Sequence, residues 1–245
     1  MESSAGILQS RQELREHYGG HSWEGGFPSR CHMELPRRQL AGKRVLDVGC
    51  RRGKGVYKLS ELVGPSGFVV GLDWDADAVE AARAGIPGAL ERSGLTVCNM
   101  AFCKGFPEDL ASAGIGPRSV DVAYLNASLA LFADPPRALA ECLRALVPGG
   151  VLVGEGVVAV PGTSRSSART AVVEAARALG NAVQAAPMRP AFEALLAAAG
   201  FDDIVITEGS PVSPDAGRTA WESVPVVPGD DATYRLVALE ARKPR

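Results

Sequence analysis

Hydrophobic residues in this chain fall into short continuous runs, separated by stretches where they recur every three or four positions. Residues 44–49, Arg-Val-Leu-Asp-Val-Gly, form the first run and read as a buried strand entering a tight turn; residues 54–63 then carry Val56, Leu59, Leu62 and Val63 at helical spacing. Residues 67–73 form a second buried strand. Residues 75–84 follow as a helix with acids in its first turn, where the helix dipole favours them, and Gly85-Ile86-Pro87-Gly88 is expected to punctuate it. The alternation continues with strands at 99–104 and 119–125 and a short helix near 108–113. Asp134 is placed to cap a further helix whose first turn holds Pro135 and Pro136 and which Pro148-Gly149-Gly150 is expected to end; residues 151–160 are then the fifth strand. Strands alternating with helices over short connections predict an α/β domain with a mostly parallel sheet covered on both faces.

Beyond the fifth strand, residues 166–182 and 191–199 read as helices, Gly200 as a terminating cap, and residues 204–207 and 234–240 as two strands completing a seven-stranded sheet. The stretch 210–231 is rich in Pro, Gly, Ser and Asp and reads as an irregular excursion within the same domain, spanning 41–245. The first 40 residues offer a polar helix at 9–18 and a Gly-rich segment unable to bury much alone, which suggests a cover over a pocket.

Composition narrows the function classes. Hydrophobic residues make up 46% and charged residues 22% of the 245, which suits a chain with a buried core. Lys and Arg number 26 against 28 Asp and Glu, so no overall basic field exists to attract nucleic acid or an anionic membrane, and a small-molecule substrate is expected. With an acid at position 2 and no apolar run of spanning length, the expected location is cytoplasmic. The scattered Cys31, Cys50, Cys98, Cys103 and Cys142 read as reduced thiols. His17-x3-His21 with Cys31-His32 is too loose a pattern to predict a metal site.

In an open parallel sheet the ligand lies beyond the carboxyl ends of the strands, where strand order reverses, and the turn Asp47-Val-Gly49-Cys50-Arg51-Arg52-Gly53 occupies the first such position. Its glycines admit close backbone approach, and the helix that follows offers free N–H groups. A dinucleotide glycine pattern fails at Arg51 and Lys54, which argues against a nicotinamide oxidoreductase. A phosphate loop fails because only three residues separate Gly49 from Gly53. Asp73, about 20 residues on at the end of the second strand, is placed to accept hydrogen bonds from two ribose hydroxyls. The alternative reading makes it the cap of the next helix. Trp74 is either a platform for a base or part of the core.

Arg44 to Cys50, Gly53-Lys-Gly-Val-Tyr57, Leu62 to Asp73, Gly105-Phe-Pro-Glu-Asp-Leu110 and Leu146-Val-Pro-Gly-Gly150 together resemble class I S-adenosylmethionine (SAM)-dependent methyltransferases, most closely the arsenite methyltransferase group. The resemblance implies a Rossmann-like fold with SAM as cofactor. It further implies that Asp47, Gly49, Cys50 and Gly53 lie at the methionine end, Asp73 and Trp74 at ribose and adenine, Pro107 and Glu108 at the adenine edge, and Asn126 on the floor near the sulfonium. Two departures stand out. Arg51 replaces the middle glycine of the turn, and Ala127 and Ala178 stand where arsenite methyltransferases present thiols. The expected activity is therefore methyl transfer to an unidentified small molecule other than arsenite, and the alternative is a noncatalytic SAM or nucleoside binder. His17, His21, His32 and Glu34 are candidate bases.

Overall fold

The computed structural model of the chain describes residues 4–19, 39–162, 166–215 and 225–245. Helix α1 spans Ser4–Gly19. Strand β1 (Arg44–Val48) leads to α2 (Lys54–Val63), β2 (Phe68–Asp73) to α3 (Ala76–Ala84) and α4 (Ile86–Ser93), and β3 is Met100–Lys104. A 3-10 turn at Pro107–Ala113 precedes β4 (Val120–Asn126), and a second at Leu129–Leu131 precedes α5 (Pro135–Ala145). The chain continues through β5 (Leu146–Val160), α6 (Ser166–Ala178), α7 (Arg189–Ala198), β6 (Asp202–Val212) and β7 (Thr233–Arg242).

The strands form one seven-stranded sheet in the order β3-β2-β1-β4-β5-β7-β6. The first five pair in parallel, and β7 runs antiparallel between β5 and β6. Side-chain alternation along β1 feeds two cores. Leu46 and Val48 join the cluster that holds Leu139 of α5 and Leu196 of α7, whereas Val45 joins the opposite cluster with Val56 and Leu59 of α2. Covering both faces leaves the carboxyl ends of β1 and β4 as the place where the sheet order reverses, and the connections there are free to bind.

Several boundaries differ from the sequence pattern for local reasons. Gly85-Ile86-Pro87-Gly88 does not simply end α3: Gly85 caps a new helix, α4, whose first turn tolerates Pro87 and whose Ala89 is buried. Helix α5 stops at Ala145, three residues before Pro148, because Leu146 turns extended (φ −66°, ψ 143°) and pairs with Val120; Pro148-Gly149-Gly150 lie inside β5. Helix α6 ends at Ala178, where Asn181 takes over by accepting the amides of Val183 and Gln184 at 3.1 Å each. The last two strands are longer than their apolar runs. Backbone pairing extends β6 to Val212, well into exposed residues, so the irregular excursion starts later than expected. Helix α1, polar as a sequence, nevertheless buries Leu14 and Tyr18.

Candidate functional site

At the end of β1 the chain must reverse toward α2 while leaving its backbone open. Gly49 (φ +83°) and Gly53 (φ +79°) make that reversal. A Cβ on Gly53 would lie 2.7 Å from the Phe102 ring, so this glycine also lets α2 pack on the sheet. Between them Arg51 holds φ +49°, a left-handed conformation costing a non-glycine residue roughly 1–2 kcal/mol. Helix α2 starts at Gly53 with no side-chain cap, which leaves its first amides available to a ligand.

Asp73 closes this turn from the neighbouring strand. Its Oδ2 accepts the Arg51 amide at 2.7 Å and its Oδ1 the Asp75 amide at 3.0 Å. The cap of α3 is Asp75, whose side chain accepts from Asp77 and Ala78, so the helix-capping alternative for Asp73 does not hold. Each Asp73 oxygen has lone-pair capacity beyond one amide. Burial raises the Asp73 carboxyl above its ordinary range, and the two amides oppose that rise. Asp47, 3% exposed, is pushed up to about 7 by burial and then by the Asp73 charge.

A cleft of about 430 Å³ opens over this turn, lined by Gly49, Arg51, Asp73, Trp74, Pro107 and Phe132 among others. Gly49, Asp73, Trp74 and Pro107 are thus brought together as the sequence suggested, while the other five candidates lie around them. Asp47 sits beneath the turn. The Cys50 side chain belongs to the core, where burial raises its thiol strongly, and Gly53 is taken up by helix packing. Glu108 is 1% exposed; its Oε1 accepts the Tyr18 hydroxyl at 2.8 Å and the Asp134 amide at 3.2 Å, and its Oε2 is buried without a hydrogen bond among the described residues. Asn126 follows Leu125, the register partner of Val48, and its buried Oδ1 also lacks a partner among the described residues.

Sequence reasoning missed Tyr18, Ser128, Leu131 and Phe132 on the cleft wall. Tyr18 stands out. Its ring lies between Trp74 (5.5 Å between centroids, 22° between planes) and Phe106 (5.7 Å, 21°). Arg11 pairs with Asp109 at 3.0 Å and the His17 Nε2 donates to the Leu131 carbonyl at 3.0 Å, so α1 lies against the mouth of the cleft. The one usable signal was Leu14 and Tyr18, four positions apart within the polar stretch 9–18. Of the other candidate bases and metal ligands, His21, Cys31, His32 and Glu34 lie outside the described residues. Among the described residues no group of three metal-ligating side chains occurs, and no helix is long and apolar enough to cross a membrane.

The expected thiol positions are now located as well. Ala127 (φ +53°) is buried in the turn after β4, whereas Ala178 is exposed at the end of α6, and neither they nor their neighbours supply sulfur to the site.

The methyltransferase-domain family matches residues 39–189 of the chain. Over 233 residues the chain is 33% identical to the arsenite methyltransferase of Aquipseudomonas alcaligenes, which covers 91% of this chain and 65% of that protein. It is 35% identical over 125 residues to the nocamycin O-methyltransferase of Saccharothrix syringae, covering 49% of this chain and 40% of that one. The crystal structure of an arsenic(III) S-adenosylmethionine methyltransferase from Chlamydomonas reinhardtii superposes with a TM-score of 0.69 at 26% identity, over 84% of this chain and 65% of that chain. The chain therefore spans just under two thirds of the length of these two arsenic-handling relatives, and its matches to the mouse, rat and human arsenite methyltransferases cover only 34%, 35% and 32% of those chains. Sheet order, cleft position and these similarities lead to one assignment: the chain belongs to the class I SAM-dependent methyltransferase family.

Proposed function

We propose that this protein transfers a methyl group from SAM to a small organic acceptor, and that arsenite is not that acceptor. The observation carrying the first half is the pair of buried carboxylates, Asp47 and Asp73, beside a cleft at the sheet's switch point. Both hold their protons more tightly than free carboxyls, so the site favours a ligand bringing positive charge and hydroxyl or ammonium donors. SAM has that chemistry, and when bound it supplies an electrophilic methyl group on a positively charged sulfur. Gly49 and the uncapped start of α2 would hold its carboxylate, Asp73 its ribose hydroxyls, and Trp74 and Pro107 its base. The unpartnered Oδ1 of Asn126 suits its ammonium. Helix α1 is the lid in this reading, with Tyr18 seated against Trp74. The residues of the chain act by positioning and by excluding water.

The second half rests on the lack of thiols on the cleft wall among the described residues. Arsenic(III) is thiophilic and needs converging thiolates, whereas Cys50 and Cys142 are buried in the cores and their thiols are raised, Cys142 to about 12. Arg51, in left-handed geometry where the family resemblance implies glycine, favours a second reading, a SAM binder without turnover. Incubating the protein with SAM and a fractionated small-molecule extract separates the readings. Accumulation of S-adenosylhomocysteine with a newly methylated compound supports transfer; tight SAM binding with no consumption across all fractions supports the binder. Methylated arsenic formed at multiple turnovers from arsenite and a small thiol would overturn the exclusion of arsenite.

A further inference from the structure

A second cavity lies on the other side of the turn that walls the cleft. Within residues 127–132, Ser128, Leu131 and Phe132 face the cleft, whereas Ala127, Leu129 and Ala130 face an adjoining, partly open pocket. Its floor is the end of β4 and β5, from Leu125 and Glu155 to Val157, and its roof is Val173 of α6 with Phe192 and Leu195 of α7. The turn is fixed to that floor by the Ala127 amide, which donates to the Glu155 carbonyl at 2.9 Å.

The lining has a simple chemistry. Among the described residues, Glu155 and Arg177 are the charged side chains on its wall, and the others are apolar or glycine. The two are of opposite type, so the described wall offers no surplus charge of either sign. An ion entering it would give up hydration without meeting a surplus counter-charge, whereas an apolar body gains by leaving water. Arg177 is already engaged on one side, its Nε donating to the Ala130 carbonyl at 3.0 Å, and burial lowers its proton affinity. Among the described residues, none of Cys50, Cys98, Cys103 and Cys142 lines the pocket and Phe192 is the one aromatic on its wall, so these residues form neither a thiolate cluster nor an aromatic cage for a quaternary cation.

We infer that this cavity is the acceptor site of the methyltransferase proposed above, and that it takes a neutral, largely apolar ring compound with a hydroxyl held at the edge formed by Glu155 and Arg177. The acceptor role rests on that reading of the cleft; the choice of ligand class rests on the cavity alone. The test uses the full-length protein and 2-naphthol as probe, with binding followed by fluorescence and calorimetry and with S-adenosylhomocysteine titrated separately. 2-Naphthol should bind saturably with or without S-adenosylhomocysteine, and about tenfold more tightly than 2-naphthoate or 2-naphthylmethylammonium. Val173→Trp and Leu195→Trp each fill the cavity from a partly exposed position on a different helix, so at least one should fold. Either should weaken 2-naphthol about tenfold while leaving S-adenosylhomocysteine within about twofold. No saturable binding, displacement by S-adenosylhomocysteine, indifference to both Trp variants in folded protein, or equal binding of the charged analogues would each overturn the inference. If 2-naphthol behaves as expected and S-adenosylhomocysteine fails to bind, the apolar site stands and the methyltransferase reading falls.

Discussion

The cleft and the apolar pocket share one turn but are built by opposite means. The cleft concentrates its chemistry in two adjacent strand ends: Asp47 and Gly49 at the end of β1 and Asp73 and Trp74 at the end of β2, with carboxylates held at raised pKa and backbone amides turned toward Asp73. The cavity draws one or two side chains from each of β4, β5, α6, α7 and β7, and almost none of them is polar. The contrast separates two kinds of specificity. Hydrogen bonds to a fixed group demand particular residues at particular offsets, whereas apolar enclosure demands only volume, which many sequences supply.

The sharpest way to break this contrast is Asp73→Ala. It removes the acceptor proposed for the ribose, along with charge-assisted hydrogen bonds of roughly 1.5–3 kcal/mol each, so SAM affinity should fall tenfold or more by calorimetry while 2-naphthol binding is unchanged. Unaltered SAM affinity in folded protein would remove Asp73 from the cleft's function. A smaller effect is expected from Asp47→Asn. Because the folded-state pKa of Asp47 is about 7 against 3.8 in the unfolded chain, the native state binds its proton more tightly, and the stability linked to this group declines as pH rises from about 4 to 7. The amide should therefore stabilise the protein on the order of 1–3 kcal/mol at pH 8 and by much less at pH 4, read from urea unfolding at both values. An equal effect at the two pH values would show that the carboxylate is not charged against its surroundings.

The turn beneath the cleft was legible because its residues are local in sequence. Gly49 and Gly53 follow from what a strand-to-helix turn requires and Asp73 from its place at the next strand end, and the alternation of strands and helices gave the sheet without help from any motif. What the sequence did not disclose has a common physical origin. Tyr18 reaches the cleft from a polar helix about 30 residues before the turn, and its position depends on tertiary packing against Trp74 and Phe106. Glu108, read as a cleft residue, is instead a buried acceptor shared between Tyr18 and Asp134, a pairing fixed only once α1 docks. Ala178, matched to a thiol position by family resemblance, is exposed at the end of α6, whereas Arg177 beside it reaches the pocket. An apolar wall assembled from β4, β5, β7, α5, α6, α7 and the segments between them has no spacing rule to read.

Two further substitutions sharpen the comparison from the cleft side. Tyr18→Phe keeps the ring between its aromatic neighbours but withdraws the donor from the buried Glu108 carboxyl, leaving Oε1 with the Asp134 amide alone; a loss of about 1–2 kcal/mol is expected, with 2-naphthol binding intact. Melting curves identical to the parent would mean that the hydroxyl bond contributes nothing to docking α1. The smallest effect belongs to Arg51→Gly. Relief of the left-handed backbone is offset by the larger entropy of glycine in the unfolded chain, so stability should stay within about 1 kcal/mol of the parent, with SAM bound at least as tightly. A loss beyond about 2 kcal/mol would show that the guanidinium itself holds the turn together.

Residues 127–132 form a single turn that walls both spaces, pinned to β5 through Ala127 and carrying a left-handed residue at its start. A wall of this kind gives the two ligands a coupling free energy. Any shift of the turn that one ligand selects is felt by the other, and thermodynamic reciprocity then requires the factor by which an acceptor changes SAM affinity to equal the factor by which SAM changes acceptor affinity. The order in which the two proposed ligands arrive would then be a kinetic matter, while any cooperation between them would have to pass at least in part through this shared turn.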